Sequence, residues 1–221
     1  MKITVFGASG GTGSHVIEQA LAAGHEVTAF VRTPAKITVQ HPNLTLFQGD
    51  VMDAAAVEQA VAVEHAEAVE KVIAGRDAVI SFLGPSRSPL PGMMESAAKN
   101  ILEGMRKAGI MRLIWTSGAG VGAPQDHPKF MDRLMKRLLT LMAGEVLRDS
   151  AAGVNLIRSS ELDWTIARFP RLLDGQSRGE YRVGYLGKDS GMVLARADAA
   201  DFVLKELTEG KYIRQAPVIS Y

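Results

Sequence analysis

Short apolar runs alternate along the chain with stretches in which apolar residues recur every three or four positions. The run Ile3–Phe6 ends in glycines and predicts a buried strand. A helix is predicted over Ser14–Ala23, because four apolar residues share one face there, and Gly24 can end it in a left-handed conformation. The β-branched and aromatic run Glu26–Val31 predicts a second strand. Strand, helix and strand within about thirty residues form a βαβ unit.

The alternation continues towards the far end of the chain. Further strands are predicted at Leu44–Gln48, Asp77–Leu83, Arg112–Thr116 and Asp163–Arg168. A helix follows Asp53, which can cap it, and another is predicted over Glu95–Ala108. We therefore expect an α/β fold of the Rossmann type, with a doubly wound parallel sheet in a three-layer α/β/α arrangement. Since no Pro/Ser-rich linker divides the chain, residues 1–221 are expected to form a single domain with a small C-terminal substrate region.

Two segments depart from this simple alternation. Residues 54–74 repeat the triplet Ala-Val-Glu at a period of six, which drifts around a helix and makes no clean apolar stripe. This segment predicts one long helix, or two helices with a break near His65, and is either a solvated extension or a protruding partner surface. Lys129–Met142 places apolar residues at helical spacing with basic residues opposite them. It is interpreted as an ordinary packed helix, a pocket lid, a dimer surface or a membrane-surface helix.

Composition excludes several kinds of site and partner. The chain has no cysteine, so disulfides, zinc–thiolate sites and cysteine nucleophiles are absent, and its five histidines show no metal-site spacing. A net charge of +1 gives no reason to expect nucleic acid as a partner. We find neither a signal peptide nor an apolar run of the roughly 20 residues that span a bilayer. A cytoplasmic protein without a membrane partner or a metal is expected.

The strongest chemical signal is the glycine-rich turn after the first strand. Glycine at such a turn allows sharp bending and a close approach of phosphate oxygens, while backbone N–H groups and the helix dipole attract the anion. The turn follows a predicted strand and opens a predicted helix, which is the context of a dinucleotide site. We expect the pyrophosphate of the cofactor to contact Gly7, Ser9, Gly10, Gly11, Thr12 and Gly13.

The end of the second strand indicates which dinucleotide binds. NAD enzymes usually carry an Asp or Glu at this point to bind the ribose hydroxyls, and none is present here. Arg32 can form a paired, charge-assisted hydrogen bond with a 2′-phosphate, and Lys36 is a second candidate. The sequence therefore predicts NADP as the preferred cofactor. The alternative is that Arg32 stacks on the adenine or faces solvent.

The ends of the next three strands supply further candidate contacts, because open α/β sheets bind ligands at the carboxyl ends of their strands. Asp50 is placed to accept a hydrogen bond from the adenine amino group, and Val51 to pack on the ring. Leu83 and Gly84 follow the fourth strand, where a glycine leaves room for the ribose or nicotinamide. Ser117 is placed to hydrogen-bond the nicotinamide or a substrate carbonyl.

These residues together resemble the atypical short-chain dehydrogenase/reductase superfamily. The similarity is greatest to its NAD(P)H-binding branch, which contains the flavin reductase type of biliverdin reductase and the NmrA-like proteins. Besides the glycine turn, the matching pieces are Val31–Arg32, Gly49–Val51, Asp77–Ser81, Thr116–Ser117, Leu162–Pro170 and Arg196–Ala200. The resemblance covers nearly the whole chain. Of the contacts given above, it implies those of NADP with Gly7, Ser9, Gly10, Thr12, Arg32, Asp50, Val51, Leu83 and Gly84. It also implies that Phe169, Pro170 and Arg171 flank the nicotinamide end.

The chain departs from that superfamily in its catalytic residues. The usual Tyr-x-x-x-Lys couple is absent, since no tyrosine occurs before Tyr181. We therefore expect an NADPH-dependent reductase of flavin (FMN or FAD as substrate), quinone or a similar conjugated small molecule, in which Ser117 and Arg171 orient the acceptor and stabilise developing charge. The alternative is an NmrA-like protein that senses NADP without turnover and signals to a regulatory partner. A homodimer is left open, and a nucleotide-sugar epimerase or dehydratase is disfavoured by the missing tyrosine and the short C-terminal region.

Overall fold

Eight strands form the central sheet of the computed structural model, which describes residues 1–53, 55, 76–84 and 91–221. Their order across the sheet is β3-β2-β1-β4-β5-β6-β10-β8, and a separate pair joins β7 to β9. The strands are β1 (Lys2–Phe6), β2 (Glu26–Val31), β3 (Leu44–Gln48), β4 (Ala78–Ser81), β5 (Arg112–Gly118), β6 (Asp163–Phe169), β7 (Arg171–Leu173), β8 (Arg182–Gly184), β9 (Val193–Ala195) and β10 (Val218–Ser220).

Helices cover both faces of this sheet. They are α1 (Gly11–Ala22), α2 (Met93–Ala108), α3 (Phe130–Arg158) and α4 (Arg196–Glu209), and a short 3-10 turn occupies Pro34–Lys36. Successive strand residues point to opposite faces, so Ile80 packs with α1 and α4 while Val79 packs with α2 and α3. The result is the three-layer α/β/α Rossmann fold that the sequence predicts. Within the described residues, no helix combines the length and the apolar character needed to cross a bilayer.

The strand order positions the functional site. Neighbouring strands are parallel from β3 to β6, so their carboxyl ends share one edge of the sheet. β1 pairs with β2 on one side and with β4 on the other. Strands β2 and β3 are therefore added on one side of β1, and β4 to β6 on the opposite side. Such a switch point opens a crevice between the loops that leave the two strands. The glycine turn leaves β1 at this crevice.

The C-terminal third of the chain forms the small region expected beside the nucleotide-binding sheet. β7 and β9 pair in parallel, and β8 runs antiparallel to β10 at the edge of the main sheet. The helix predicted over Lys129–Met142 is present as the first part of α3, which is kinked at Ala143 (φ −144°, ψ 35°) and continues as a second helical part to Arg158. The long helix predicted over residues 54–74 lies almost entirely outside the described residues.

Candidate functional site

The glycine turn has no room for side chains at two of its positions. Gly7 has φ +74°, and a Cβ built on it would lie 2.6 Å from the carbonyl oxygen of Phe82, at the end of β4. A Cβ on Gly13 would lie 2.2 Å from the carbonyl oxygen of Gly7. Glycine is therefore required here by backbone conformation at Gly7 and by close packing at both residues. The turn stays tight against β4 and presents its backbone at the switch point.

The N-terminus of α1 has backbone N–H groups that an anion could accept. Gly10 occupies the N-cap position and provides no side-chain hydrogen bond, while its own N–H is bonded to the carbonyl of Gly7 at 3.0 Å. Gly11 and Thr12 are the first residues of the helix, where N–H groups have no partner within the helix. A phosphate is a suitable acceptor for such groups and also meets the positive end of the dipole. The residues present thus fit the pyrophosphate of a dinucleotide.

The two basic candidates for the 2′-phosphate are both accessible. Arg32 follows β2 directly, and its side chain is exposed at the edge of the sheet where the glycine turn lies. Its backbone carbonyl accepts a hydrogen bond from Nε2 of Gln48 at 3.3 Å, which ties the loop to the end of β3. Lys36 is exposed in the short 3-10 turn that follows. Neither cation is buried in an internal ion pair, so both remain predicted ligands for a cofactor phosphate.

Asp50 and Val51 have different surroundings, although they are adjacent in the chain. Asp50 is exposed, and its Oδ1 accepts a hydrogen bond from the N–H of Met52 at 3.0 Å, which shapes the turn after β3. Val51 is buried in the same apolar cluster as Phe30 and Phe47, and its carbonyl accepts a bond from Nδ2 of Asn100 at 2.8 Å. Asp50 therefore has a structural role in addition to the predicted one towards adenine.

Two phenylalanine rings lie near the predicted nicotinamide end. Phe82 follows β4 and Phe169 ends β6, and their rings stack at a centroid distance of 6.2 Å and an interplanar angle of 7°. Leu83 is half-buried and Gly84 exposed in the loop after Phe82. Among the described residues, which leave out the segment 85–90 that follows, a Cβ on Gly84 would meet no atom within 4 Å. These residues form an apolar end of the crevice.

The residues predicted to act on the acceptor lie on two different strands. Ser117 is half-buried near the end of β5, where its backbone is in register with Arg168 of β6. Pro170 follows β6, and Arg171 is exposed at the start of β7. The N–H of Ala119 donates to the carbonyl of Phe169 at 2.8 Å and links the loop after β5 to the end of β6. The catalytic roles of Ser117 and Arg171 stay predictions.

Arg168 and Asp126 form a buried ion pair that the sequence did not predict. Arg168 is fully buried and donates from Nη2 and Nη1 to the two carboxylate oxygens of Asp126, at 2.6 and 2.8 Å. Asp126 also accepts the N–H groups of Ala123 and Leu186. Burial by itself would raise the pKa of Asp126, but the Arg168 guanidinium and the two N–H groups hold that pKa below its usual value. The pair joins the loop after β5 to β6, and the bond from Leu186 ties the loop after β8 to the same carboxylate.

A second buried carboxylate organises the C-terminal region. Asp198 is fully buried in the first turn of α4 and accepts the hydroxyls of Ser177 and Tyr221. It also accepts the backbone N–H groups of Arg178 and Gly179. Burial opposes ionisation of Asp198, yet these four donors keep its pKa below the usual value. The loop that follows β7 is thereby held against the start of α4.

The N-terminus of α2 is capped by a residue from another helix. Asp149 of α3 accepts the N–H groups of Met94 and Glu95 at 3.0 and 3.1 Å. The close approach needs Gly153, because a Cβ there would lie 2.8 Å from the carbonyl oxygen of Met94. Local sequence at the start of α2 contains no sign of this cap, since the capping residue comes from a remote helix. The positive end of the α2 dipole is therefore occupied by a protein carboxylate.

Three of the four tyrosines donate their hydroxyls to structural hydrogen bonds. Tyr181 donates to Asp201 at 2.8 Å and Tyr185 to Gln215 at 2.7 Å, while Tyr221 donates to Asp198. Burial raises the pKa of all three hydroxyls above the usual value, and the neighbouring carboxylates add to this for Tyr181 and Tyr221. A catalytic tyrosine acid needs the opposite shift. None of these three hydroxyls is therefore suited to the role of the missing Tyr/Lys couple.

Comparison with known proteins places the fold and site in a family. The chain is 27% identical to the Bacillus subtilis protein YwnB over 226 aligned positions, which cover 95% of this chain and 92% of YwnB. Its fold is similar to that of ChuY from Escherichia coli O157:H7, described as an anaerobillin reductase (TM-score 0.77, 23% identity, covering 100% of this chain and 97% of ChuY). A short-chain dehydrogenase/reductase from Veillonella parvula in complex with NADP has the same fold (TM-score 0.76, 19% identity, coverage 100% and 94%). The family model described as NAD(P)H-binding matches residues 7–210, and the chain belongs to this family.

Proposed function

We propose that the protein is an NADPH-dependent reductase of a flat conjugated acceptor, such as a flavin or a quinone. The observation that carries the cofactor preference is the exposed guanidinium of Arg32 directly after β2, at the position where NAD enzymes usually place a carboxylate. Membership of the NAD(P)H-binding family supports a dinucleotide, and the NADP complex of the Veillonella protein supports NADP. Arg32 and Lys36 would hold the 2′-phosphate through charge-assisted hydrogen bonds.

The remaining contacts follow the crevice from the adenine to the nicotinamide. Asp50 and Val51 would contact the adenine, and the glycine turn with the start of α1 would hold the pyrophosphate. The nicotinamide would lie towards the apolar end of the crevice, near Leu83, Gly84, Phe169 and Pro170. The 6.2 Å stack of Phe82 and Phe169 supports this placement, because the half-buried Phe82 ring is held against the buried Phe169 and gives this end of the crevice an apolar character.

The class of acceptor follows from the acid chemistry that the described residues offer. Reduction of an isolated carbonyl requires a proton donor near the developing alkoxide, and the three hydrogen-bonded tyrosines have raised pKa values and structural partners. NADPH, when bound, supplies a hydride, and a conjugated acceptor delocalises the resulting charge over its ring system. Ser117 and Arg171 would orient such an acceptor and stabilise that charge. The similarity in fold to ChuY adds linear tetrapyrroles to the acceptors worth testing.

The experiment is a turnover assay with a panel of acceptors. Oxidation of NADPH is followed with FMN, FAD, a soluble quinone, a linear tetrapyrrole and a simple aldehyde. We expect turnover with at least one conjugated acceptor, little with the aldehyde, and a lower kcat in Ser117→Ala and Arg171→Ala with the KM for NADPH unchanged. Arg137→Ala, which alters an exposed arginine on α3, is the matched control and should keep the parent kcat. Absence of NADPH oxidation with every acceptor would remove the reductase proposal.

A second candidate function is an NADP sensor without turnover. It is favoured by the surface of α3, where Phe130, Leu134 and Leu141 are 77%, 51% and 85% exposed and share one helical face. An exposed apolar stripe of this kind is typical of an interaction site. Tight NADPH binding without turnover, together with a partner whose binding depends on NADP and is lost in Leu141→Ser, would support this function. Turnover with a conjugated acceptor would favour the reductase.

A further inference from the structure

The closing helix brings a cation to the glycine turn. Arg196 is the first residue of α4, and its Nη1 donates to the hydroxyl of Thr12 at 3.3 Å. A Cβ built on Gly11 would lie 3.3 Å from Nε of the same guanidinium. The two contacts are at the first two residues of α1, whose N–H groups face the predicted pyrophosphate. A residue 184 positions away in the sequence therefore lies beside the anion site.

Several contacts fix this arginine in place. The carbonyl of Ala197, the next residue, accepts a hydrogen bond from Nε2 of Gln19 in α1 at 3.0 Å. Asp198 is fully buried and anchors the first turn of α4. Nε of Arg196 donates to Oδ1 of Asp174 at 2.7 Å, which orients the guanidinium without sequestering it, since the Asp174 side chain is 92% exposed. An exposed ion pair of this type adds little stability, so it does not explain why an arginine stands at this point.

The chemistry at this position suits a phosphate group. The Arg196 side chain is 30% exposed, and a guanidinium presents its donors in a planar fork that matches phosphate oxygens. It lies beside a helix N-terminus that has no side-chain cap, and the glycine at position 11 lets the arginine approach the helix backbone closely. Charge-assisted hydrogen bonds from an arginine complement those from helix N–H groups, which carry only partial charge.

We propose that Arg196 is a ligand of the cofactor pyrophosphate, acting together with the N–H groups of Gly11 and Thr12. This inference rests on the proposed binding of NADPH and adds a specific residue to that site. In this arrangement, Arg32 binds the 2′-phosphate of the cofactor and Arg196 binds its pyrophosphate.

The test uses two probes that differ in the pyrophosphate. NADPH carries both the 2′-phosphate and the pyrophosphate, whereas adenosine 2′-monophosphate carries the 2′-phosphate alone. Calorimetric titration of Arg196→Met should give a dissociation constant for NADPH about tenfold higher than that of the parent, or about 1.4 kcal/mol. The dissociation constant for adenosine 2′-monophosphate should stay within about twofold, because the lost ligand does not contact that phosphate.

A matched variant separates binding from anchoring of the loop. Asp174→Asn removes the same ion pair and keeps the guanidinium, so it should change NADPH affinity by less than about threefold. Arg196→Gln, which retains a donor towards Thr12 but no charge, should weaken NADPH as Arg196→Met does and serves if the latter folds poorly. The proposal is wrong if the Arg196 variants bind NADPH like the parent, if they weaken both probes equally, or if Asp174→Asn reproduces their effect. Failure of the parent protein to bind NADPH would overturn the cofactor assignment itself.

Discussion

The carbonyl oxygen of Gly7 lies where a side chain on Gly13 would begin: a Cβ built on Gly13 would be 2.2 Å from that oxygen. The start of α1 can pack this tightly on the end of β1 only because both residues are glycines. The same contact fixes the direction in which the N–H groups of Gly11 and Thr12 point. Packing of the turn and binding of an anion are therefore two consequences of one arrangement.

Gly13→Ala tests this coupling between packing and binding. The added methyl group must displace the backbone of Gly7, and we expect the free energy of unfolding to fall by about 1–3 kcal/mol, as for other overpacked sites. NADPH affinity should fall by more than tenfold, because the displaced turn no longer presents its N–H groups to the phosphates. Urea unfolding and calorimetric titration measure the two effects.

Gly144→Ala provides the control for that substitution. A Cβ on Gly144 would lie 3.8 Å from Cγ2 of Thr140, which is ordinary contact, so neither stability nor NADPH affinity should decrease. A Gly13→Ala protein with the parent's stability and affinity would show that the turn is more adaptable than the contact distances imply.

Asp126→Ala tests the buried ion pair between Asp126, in the loop after β5, and Arg168 of β6. The substitution leaves the fully buried guanidinium of Arg168 without its carboxylate, and breaking a buried pair in this way costs about 3–5 kcal/mol. Urea unfolding should show a loss in this range. Glu103→Ala, which breaks the exposed pair with Arg106 on α2, should leave the unfolding curve nearly unchanged. Equal small effects of the two substitutions would refute a structural role for the Arg168–Asp126 pair.

The same pair predicts a pH dependence of stability. The pKa of Asp126 is lower in the folded chain than its usual 3.8, so its ionised form stabilises the fold above that pH. This contribution is lost as the pH falls through the folded pKa. The difference in unfolding free energy between the parent and Asp126→Asn should be constant from about pH 7 to 5 and shrink below about pH 4. A difference that persists undiminished at pH 3 would contradict the assignment.

Much of the nucleotide-binding half could be predicted from local sequence. The bounds of β2 and β3 agree with the predicted strands Glu26–Val31 and Leu44–Gln48, and the glycine turn lies where the βαβ pattern places it. The buried strand β2 is an apolar run, whereas β3 lies largely exposed at the edge of the sheet and mixes apolar and polar residues, and both patterns can be read locally. The three-layer Rossmann fold follows from the alternation of these elements with helices.

The C-terminal region could not be predicted in the same way. β7 and β9 have only three residues each and pair across a gap of twenty residues or so, which leaves no periodic pattern to detect. Arg196 and Asp149 act through tertiary contacts with α1 and α2, and no local motif indicates such partners. The acceptor itself depends on the loops after β5 and β7, where the resemblance to known reductases gives the least guidance.

The central claim is that the glycine turn and Arg32 together bind NADPH in preference to NADH. The most direct measurement is the dissociation constant of each cofactor for the parent protein and for Arg32→Ala, with Arg137→Ala as a matched exposed control. We predict that the parent prefers NADPH, and that Arg32→Ala raises the NADPH dissociation constant at least tenfold, or about 1.4 kcal/mol, while that of NADH changes by less than about twofold. Equal loss of both cofactors in Arg32→Ala, or no preference in the parent, would contradict the claim.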